Sequence, residues 1–276
     1  MRVEPIERLD DPRVADYRNV RDADLRAASG AFLAEGRLNV ERLLASPRYR
    51  ARSVFVTAAA LRGIEGSLAR LGDETPVYLA SQLLMNEIVG YRMHRGCLAA
   101  GERGREPALE SLLEGLAPGP RCVLVLEDVS NPDNVGSIFR NALAFGADAA
   151  ALTAPCADPL YRKAIRVSMG ATLRIPFART SGATTALRAL HARGFTSVAL
   201  SARRDAEPLR ALVPPPERVA LLLGAEGHGL SSAAAAEAER CVTIPMAEGI
   251  DSLNVATAAA IALHQLFQAR SPRGAA

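Results

Sequence analysis

The last quarter of the chain, from Val219 to Gln268, limits the available folds more than any other stretch. It contains V-A-L-L-L-G-A-E-G-H-G-L-S and then C-V-T-I-P-M-A-E-G-I-D-S-L-N-V-A-T-A-A-A-I-A-L-H-Q-L. Two short apolar runs each end in a loop of Gly and small polar residues, and each loop opens into a helix-like segment. An α/β protein presents backbone amides and a few polar side chains to a small anionic or zwitterionic ligand in this way, at the carboxyl ends of parallel strands.

The preceding sequence repeats the pattern. R-C-V-L-V-L-E-D-V is a near-continuous apolar run, as in a strand buried on both faces. S-N-P-D-N-V-G-S-I-F-R-N-A-L-A-F-G reads as a loop entering a helix that stops at Gly146. Further strands are expected at A-D-A-A-A-L-T, T-L-R-I-P-F and F-T-S-V-A-L-S, with helices between them, giving a largely parallel sheet over 120–276. Residues 1–101 also alternate α and β, enough for a small α/β/α sandwich. Within them, 1 to about 28 alternate acids and arginines and read as a solvated helical segment or arm. Thr57 is expected at a strand end, and Ser81 as a helix cap. G-E-R-G-R-E-P, a short helical stretch and A-P-G-P make 102–119 the expected linker.

A length of 276 residues fits two domains better than one. Aromatics are only 4% and Trp is absent, so aliphatic side chains must fill both cores. The net charge of +3 is weak support for a polyanionic partner. Lys163 is the only lysine among the basic residues; this fits a coding bias toward Arg, and also the bidentate phosphate contact that Arg provides. Cys97, Cys122, Cys156 and Cys241 show no C-x-x-C spacing and lie in or beside apolar stretches. They read as reduced, buried thiols, with neither a disulfide frame nor a metal site. The start lacks the apolar core of a secretory signal and no run reaches membrane-spanning length, so the cytoplasm is expected.

Three loops carry candidate chemistry. In 130–140, Asn131 and Asp133 suit turn and cap positions, while Asn134 and Arg140 lie near the start of one helix, with Arg140 close to the face of Asp133. The loop G-A-E-G-H-G lacks the G-x-G-x-x-G order of a dinucleotide site; Glu226 sits between its glycines, and His228 reads as a surface residue. In I-P-M-A-E-G-I-D-S-L-N-V-A, Ser252 is a possible N-cap, which leaves Asn254, a poor interior helix residue, without a structural explanation. No G-x-S-x-G nucleophile elbow is present.

Taken together, N-P-D-N-V-G-S-I-F-R-N-A-L-A-F-G, L-L-L-G-A-E-G-H-G-L-S and I-P-M-A-E-G-I-D-S-L-N-V-A-T-A-A-A-I-A-L resemble, in order and spacing, the three motifs of the SpoU (TrmH-like) RNA 2′-O-ribose methyltransferases of the SPOUT superfamily. F-L-A-E-G-R and H-R-G-C-L-A resemble that family's N-terminal substrate-binding domain, which is similar to ribosomal protein L30e. The resemblance implies an α/β fold with a C-terminal trefoil knot, a homodimer with the site completed across its interface, and S-adenosylmethionine bound in the knot against backbone groups around Gly224, Ile244 and Leu253. It implies methyl transfer to a ribose 2′-hydroxyl of rRNA or tRNA. Asn134, Arg140, Glu226, Ser252 and Asn254 match the functional positions. Asn134 and Asn254 are expected to orient substrate and loop, and Glu226 to hold the loops or Arg140. Arg140 is expected to position a phosphate and stabilise the developing alkoxide, since a guanidinium holds its proton too firmly for an easy base. The third motif departs from the family in having both Ala247 and Glu248 before Gly249. Arg37, Arg48, Arg50 and Arg52 are expected to contact RNA, or else form a solvated charge run. The alternative function is a non-catalytic RNA-binding or ribosome-assembly protein that keeps the knot; base methylation is disfavoured by the S-L-N motif.

Overall fold

The structure is a computed structural model that describes residues 2–18, 22–69, 71, 74–94, 96–203, 205–212 and 214–268. In chain order the strands are β1 (Val3–Pro5), β2 (Ala31–Glu35), β3 (Ala51–Val56), β4 (Val77–Leu79), β5 (Cys97–Glu102), β6 (Arg121–Leu126), β7 (Ala149–Thr153), β8 (Phe177–Thr180), β9 (Thr196–Leu200), β10 (Glu207–Pro208), β11 (Arg218–Leu223) and β12 (Arg240–Thr243). The helices are α1 (Asp22–Ser29), α2 (Arg37–Leu44), α3 (Ala58–Leu68), α4 (Gln82–Val89), α5 (Leu109–Glu114), α6 (Pro132–Ala144), α7 (Arg162–Val167), α8 (Ala183–His191), α9 (Ser232–Glu237) and α10 (Val255–Gln268).

Two compact units result: Met1–Arg105 with Pro159–Arg174, and Glu106–Asp158 with Ile175–Ala276. This division differs in two places from the one expected at 101 and 120. The stretch read as a linker contains α5, which packs against β8 and α8 of the second unit and buries Leu109, Leu112 and Leu113. Three leucines on one short helix need a core to cover them. In addition, 159–174 leaves the sequence of the second unit and joins the first. There Arg162 bonds Asp22 at 3.0 Å and α7 packs along β2.

The first unit has a five-stranded sheet in the order β1-β4-β3-β5-β2, parallel across β1, β4 and β3 and antiparallel across β3, β5 and β2. The acid- and arginine-rich N-terminal residues are not a solvated arm among those described. β1 forms a sheet edge, a 3-10 turn follows at Pro12–Tyr17, and Ile6, Val14, Tyr17 and Leu25 enter the core. Thr57 caps α3 and Ser81 caps α4 through side-chain oxygens.

The second unit is built on a parallel sheet in the order β10-β12-β9-β11-β6-β7-β8. Side chains alternate along a strand. Val123 and Val125 of β6 therefore face the cluster that holds Leu187 and Leu190 of α8. On α10, Ala256, Ala259, Ala262, Leu263 and Leu266 are buried, and this helix packs against α6. The small alanines allow close approach of the two helices, and Asn141 Nδ2 donates to Ala256 C=O at 2.9 Å. The strand expected over T-L-R-I-P-F begins only at Phe177. Residues Ala171–Leu173 instead form a 3-10 turn in which Thr172 N–H reaches Ser168 Oγ at 3.5 Å.

Strand order positions the site. From β6 the chain runs outward through β7 and β8, then crosses to β9 and returns to β11 beside β6. Leu223 pairs with Leu126, so β6 and β11 end level with each other at the point where strand order reverses. Ligands of doubly wound sheets bind outside the carboxyl ends of the strands at such a point. Among the described residues no helix is long and apolar enough to cross a membrane.

The buried Tyr17 hydroxyl accepts from Ala100 N–H (3.1 Å), donates to Ser53 C=O (3.0 Å) and lies 2.7 Å from Ser53 Oγ. Burial holds this phenol well above its usual pKa. Tyr17→Phe leaves a strand N–H and a hydroxyl unsatisfied, at a cost of about 1–3 kcal/mol. Thermal unfolding should show a midpoint lowered by several degrees; an unchanged midpoint would show that the network is dispensable.

Candidate active site

β6 ends in two carboxylates that do structural work. Glu127 is buried and accepts from Ser231 N–H and Ser231 Oγ–H, both at 2.8 Å. Ser231 in turn caps α9, accepting from Ala234 N–H at 3.1 Å. Asp128 has φ 58, a left-handed conformation that a short polar side chain tolerates by bonding locally. Its N–H donates to Thr153 Oγ1 at 3.0 Å, and Thr153 Oγ1–H donates back to Asp128 Oδ1 at 2.8 Å. These bonds fix the path of the chain into α6, where Asn131 caps the helix through Asp133 N–H at 2.9 Å and Pro132 occupies the first turn.

Asn134, in that first turn, is buried. Its Nδ2 donates to Glu226 Oε1 at 2.6 Å, and its Oδ1 accepts from Asn254 Nδ2 at 3.0 Å. Asn254 Nδ2 also donates to Glu226 Oε1 at 2.9 Å. A carboxylate only accepts, so Asn134 must turn its nitrogen to Glu226 and offer its oxygen to Asn254. The Asn254 oxygen is in turn taken by Ala256 N–H (2.9 Å) and Thr257 N–H (3.3 Å) at the start of α10. Asn254 is therefore the helix cap, and Ser252, a possible cap from sequence, is an exposed loop residue two positions earlier. One side chain from each of the three loops thus closes a triangle.

The glycines explain how Glu226 is presented. Ala225 and Gly229 form a bridge, with Gly227 at φ 89 and Gly229 at φ 69. At Gly224 an added Cβ would lie 2.4 Å from the backbone of Gly229 and Leu230, so the strand end and the returning loop touch through main chain alone. Beside this turn is a cavity of about 890 Å³. Gly224, Glu226, Ile244, Ser252, Leu253 and Asn254 all line it, as do Leu200, Arg203, His228, Cys241 and Met246.

Arg140 is not brought to this cluster. It is exposed on α6, does not line the cavity, and makes no hydrogen bond or ion pair among the described residues. Of the two expected partners of Glu226, the loops are engaged and Arg140 is not. The four arginines expected to meet RNA lie in the first unit and differ in setting. Arg37 pairs with Glu41 at 3.0 Å along α2. Arg48 lies over the Tyr49 ring, 5.3 Å from its centroid. Arg50 approaches Glu102 at 3.3 Å. Arg52 is drawn inward to Asp16 (3.2 Å) and Ser29 C=O (3.0 Å).

The profile of the SpoU rRNA Methylase family matches residues 121–264. The chain belongs to that family. An uncharacterized tRNA/rRNA methyltransferase of Mycobacterium bovis is 42% identical over 262 residues, covering 93% of this chain and 88% of that protein. A 23S rRNA (guanosine-2′-O-)-methyltransferase of Nitrosomonas europaea is 34% identical over 200 residues, covering 72% and 76%. Among solved structures, an AdoMet-bound rRNA methyltransferase from Sinorhizobium meliloti superposes with TM-score 0.80 at 25% identity, over 96% of this chain and 98% of that one.

The match includes Glu127, Asp128 and Ser231, which sequence reasoning passed over. The signal available was two acids placed directly after a buried strand, where side chains that end in water need no explanation and buried ones do. Gly224→Ala tests the close approach. Backbone cannot rotate away from the new methyl, so a loss of at least about 1–3 kcal/mol is expected, seen as a lower thermal midpoint. A variant as stable as the parent would contradict the contact.

Proposed function

We propose that this SpoU-family chain transfers a methyl group from S-adenosylmethionine to a ribose 2′-hydroxyl of a structured RNA, rRNA or tRNA. The observation that carries the reading is the closure of three loops by Asn134, Glu226 and Asn254 beside a cavity of about 890 Å³. That volume lies within the range of small-ligand sites. The wall suits the cofactor chemically: Leu200, Ile244, Met246 and Leu253 offer apolar surface to a flat base, and Glu226 an anion to a cationic centre. When bound, S-adenosylmethionine supplies a methyl group activated by a sulfonium.

The chain's own residues then divide the work. Both polar ends of the Asn134 side chain are committed within the triangle, so it positions the loops. Glu226 Oε1 takes both amide donors, and Oε2 has no partner among the described residues, leaving a carboxylate oxygen to accept from substrate. Ser252 contributes a hydroxyl at the cavity wall. Arg140 makes no hydrogen bond or ion pair among the described residues, and its guanidinium suits bidentate contact with a phosphate and stabilisation of an alkoxide as it develops. Its place outside its own cavity supports the further proposal of a homodimer in which a second copy completes the site. The exposed Ile261 of α10 and Ile250 provide apolar surface for such an interface. The proposed knot is supported by strand order: β12 lies beyond β9, while the chain that follows returns to place α10 on α6. The first unit is proposed as an L30e-like RNA-docking domain, and the cytoplasm as the compartment.

The position of Arg140 is also what favours the non-catalytic alternative. Arg140→Ala separates the two when methylation and calorimetric S-adenosylmethionine binding are measured together. The proposal expects binding within about two-fold of the parent and methylation lost by at least about a hundred-fold, in the range of other electrostatic contributions to catalysis. Near-normal turnover would remove Arg140 from the mechanism, and no cofactor binding by the parent protein would favour the alternative.

A further inference from the structure

Residues 159–174 carry Arg162, Lys163, Arg166 and Arg174 and no carboxylate. The segment interrupts the sequence of the second unit yet belongs to the first. Its apolar side is covered there. Ala164, Ile165, Ser168 and Leu173 are buried, Arg162 bonds Asp22 at 3.0 Å, and Ser46 Oγ donates to Leu173 C=O at 3.5 Å. Its cationic side faces water: Lys163, Arg166 and Arg174 are all exposed. Lys163 and Arg166 stand three residues apart on α7, which makes them neighbours on one helix face. Arg166 reaches Glu35 only at 3.9 Å, whereas Arg52 is held by Asp16 at 3.2 Å and Arg50 by Glu102 at 3.3 Å. The turn that ends α7 stores strain. Met169 has φ 51, unusual for a residue other than glycine, and is exposed, while Gly170 N–H closes the turn onto Ile165 C=O at 2.8 Å. Such a conformation persists where the surroundings impose it, often at functional positions. Here it leaves an apolar side chain at the surface.

We infer that Lys163, Arg166 and Arg174 form a phosphate-binding face of the first unit on which the backbone of the RNA substrate docks. The inference rests on the RNA reading above, and it assigns the docking charge to this inserted segment in preference to Arg50 and Arg52. Each lysine or arginine that meets a phosphate displaces a condensed counterion, so its removal reduces the salt dependence of binding.

Lys163 is the only lysine in the chain, so an amine-directed acylating reagent followed by mass spectrometry reads one side chain besides the α-amine. The full chain is acylated alone, with bulk tRNA, with rRNA fragments, and with polyglutamate as a non-nucleic polyanion. The expected result is several-fold protection of Lys163 by RNA, lost at high salt and absent with polyglutamate. In parallel, Lys163→Ala/Arg166→Ala/Arg174→Ala should flatten the slope of log affinity against log salt by roughly two units for two or three phosphates. Lys163→Arg should keep the parental slope. RNA that binds without protecting Lys163, an unchanged slope in the triple variant, or equal protection by polyglutamate would each overturn the assignment. The broader reading is judged separately, by S-adenosylmethionine calorimetry on the same preparations, because the three substituted side chains lie outside the cavity.

Discussion

One carboxylate oxygen organises the site. Glu226 Oε1 accepts from the amides of Asn134 and Asn254, and the donor-acceptor polarity of the triangle permits a single arrangement. Glutamate cannot donate, so Asn134 offers nitrogen to it and oxygen to Asn254. The Asn254 oxygen is left to cap α10. Hydrogen bonds to an ionised group are the stronger kind, and linked bonds polarise one another. Three loops rich in glycine and small residues have little conformational preference of their own. The triangle supplies the order that their sequences lack, and it couples the start of α6, the turn after β11 and the first turn of α10.

Behind this triangle stands a second set of contacts that leaves it room to form. Glu127 fastens the chain leaving β11 to the end of β6 through Ser231, and Asp128 fastens the end of β6 to β7 through Thr153. Gly224 lets two stretches of main chain meet where a methyl group would not fit. The level carboxyl ends of β6 and β11, set by their parallel register, make these short connections possible. The fold thus provides the position, the buried acids provide the anchoring, and the triangle provides the closure.

Much of this was legible in the sequence, for identifiable reasons. Near-continuous apolar runs ending in small-residue loops specify buried parallel strands, and Asn254 stood out because an asparagine inside a helix lacks a purpose. The structure supplies that purpose as a cap, and moves the start of α10 past Ser252. Long-range placement was not legible. Nothing in R-K-A-I-R-V-S-M-G says which core will cover Ile165. The N-terminal residues hid their burial because Ile6, Val14, Tyr17 and Leu25 follow no single period among many charges. Arg140 illustrates a different limit: helical spacing puts it on a face of α6, but a face does not say what lies opposite, and Arg140 does not line the cavity.

In the proposed reaction the loops closed by Glu226 direct a methyl group to ribose. Alkaline cleavage of RNA requires a free 2′-hydroxyl, so a methylated ribose protects its own linkage. The most direct test incubates the full chain with RNA and S-adenosylmethionine labelled in the methyl group, then hydrolyses the product in alkali. The label is expected in alkali-resistant dinucleotides. Label recovered in mononucleotides, as base methylation gives, would contradict it, and so would RNA left unlabelled by protein that binds both substrate and cofactor.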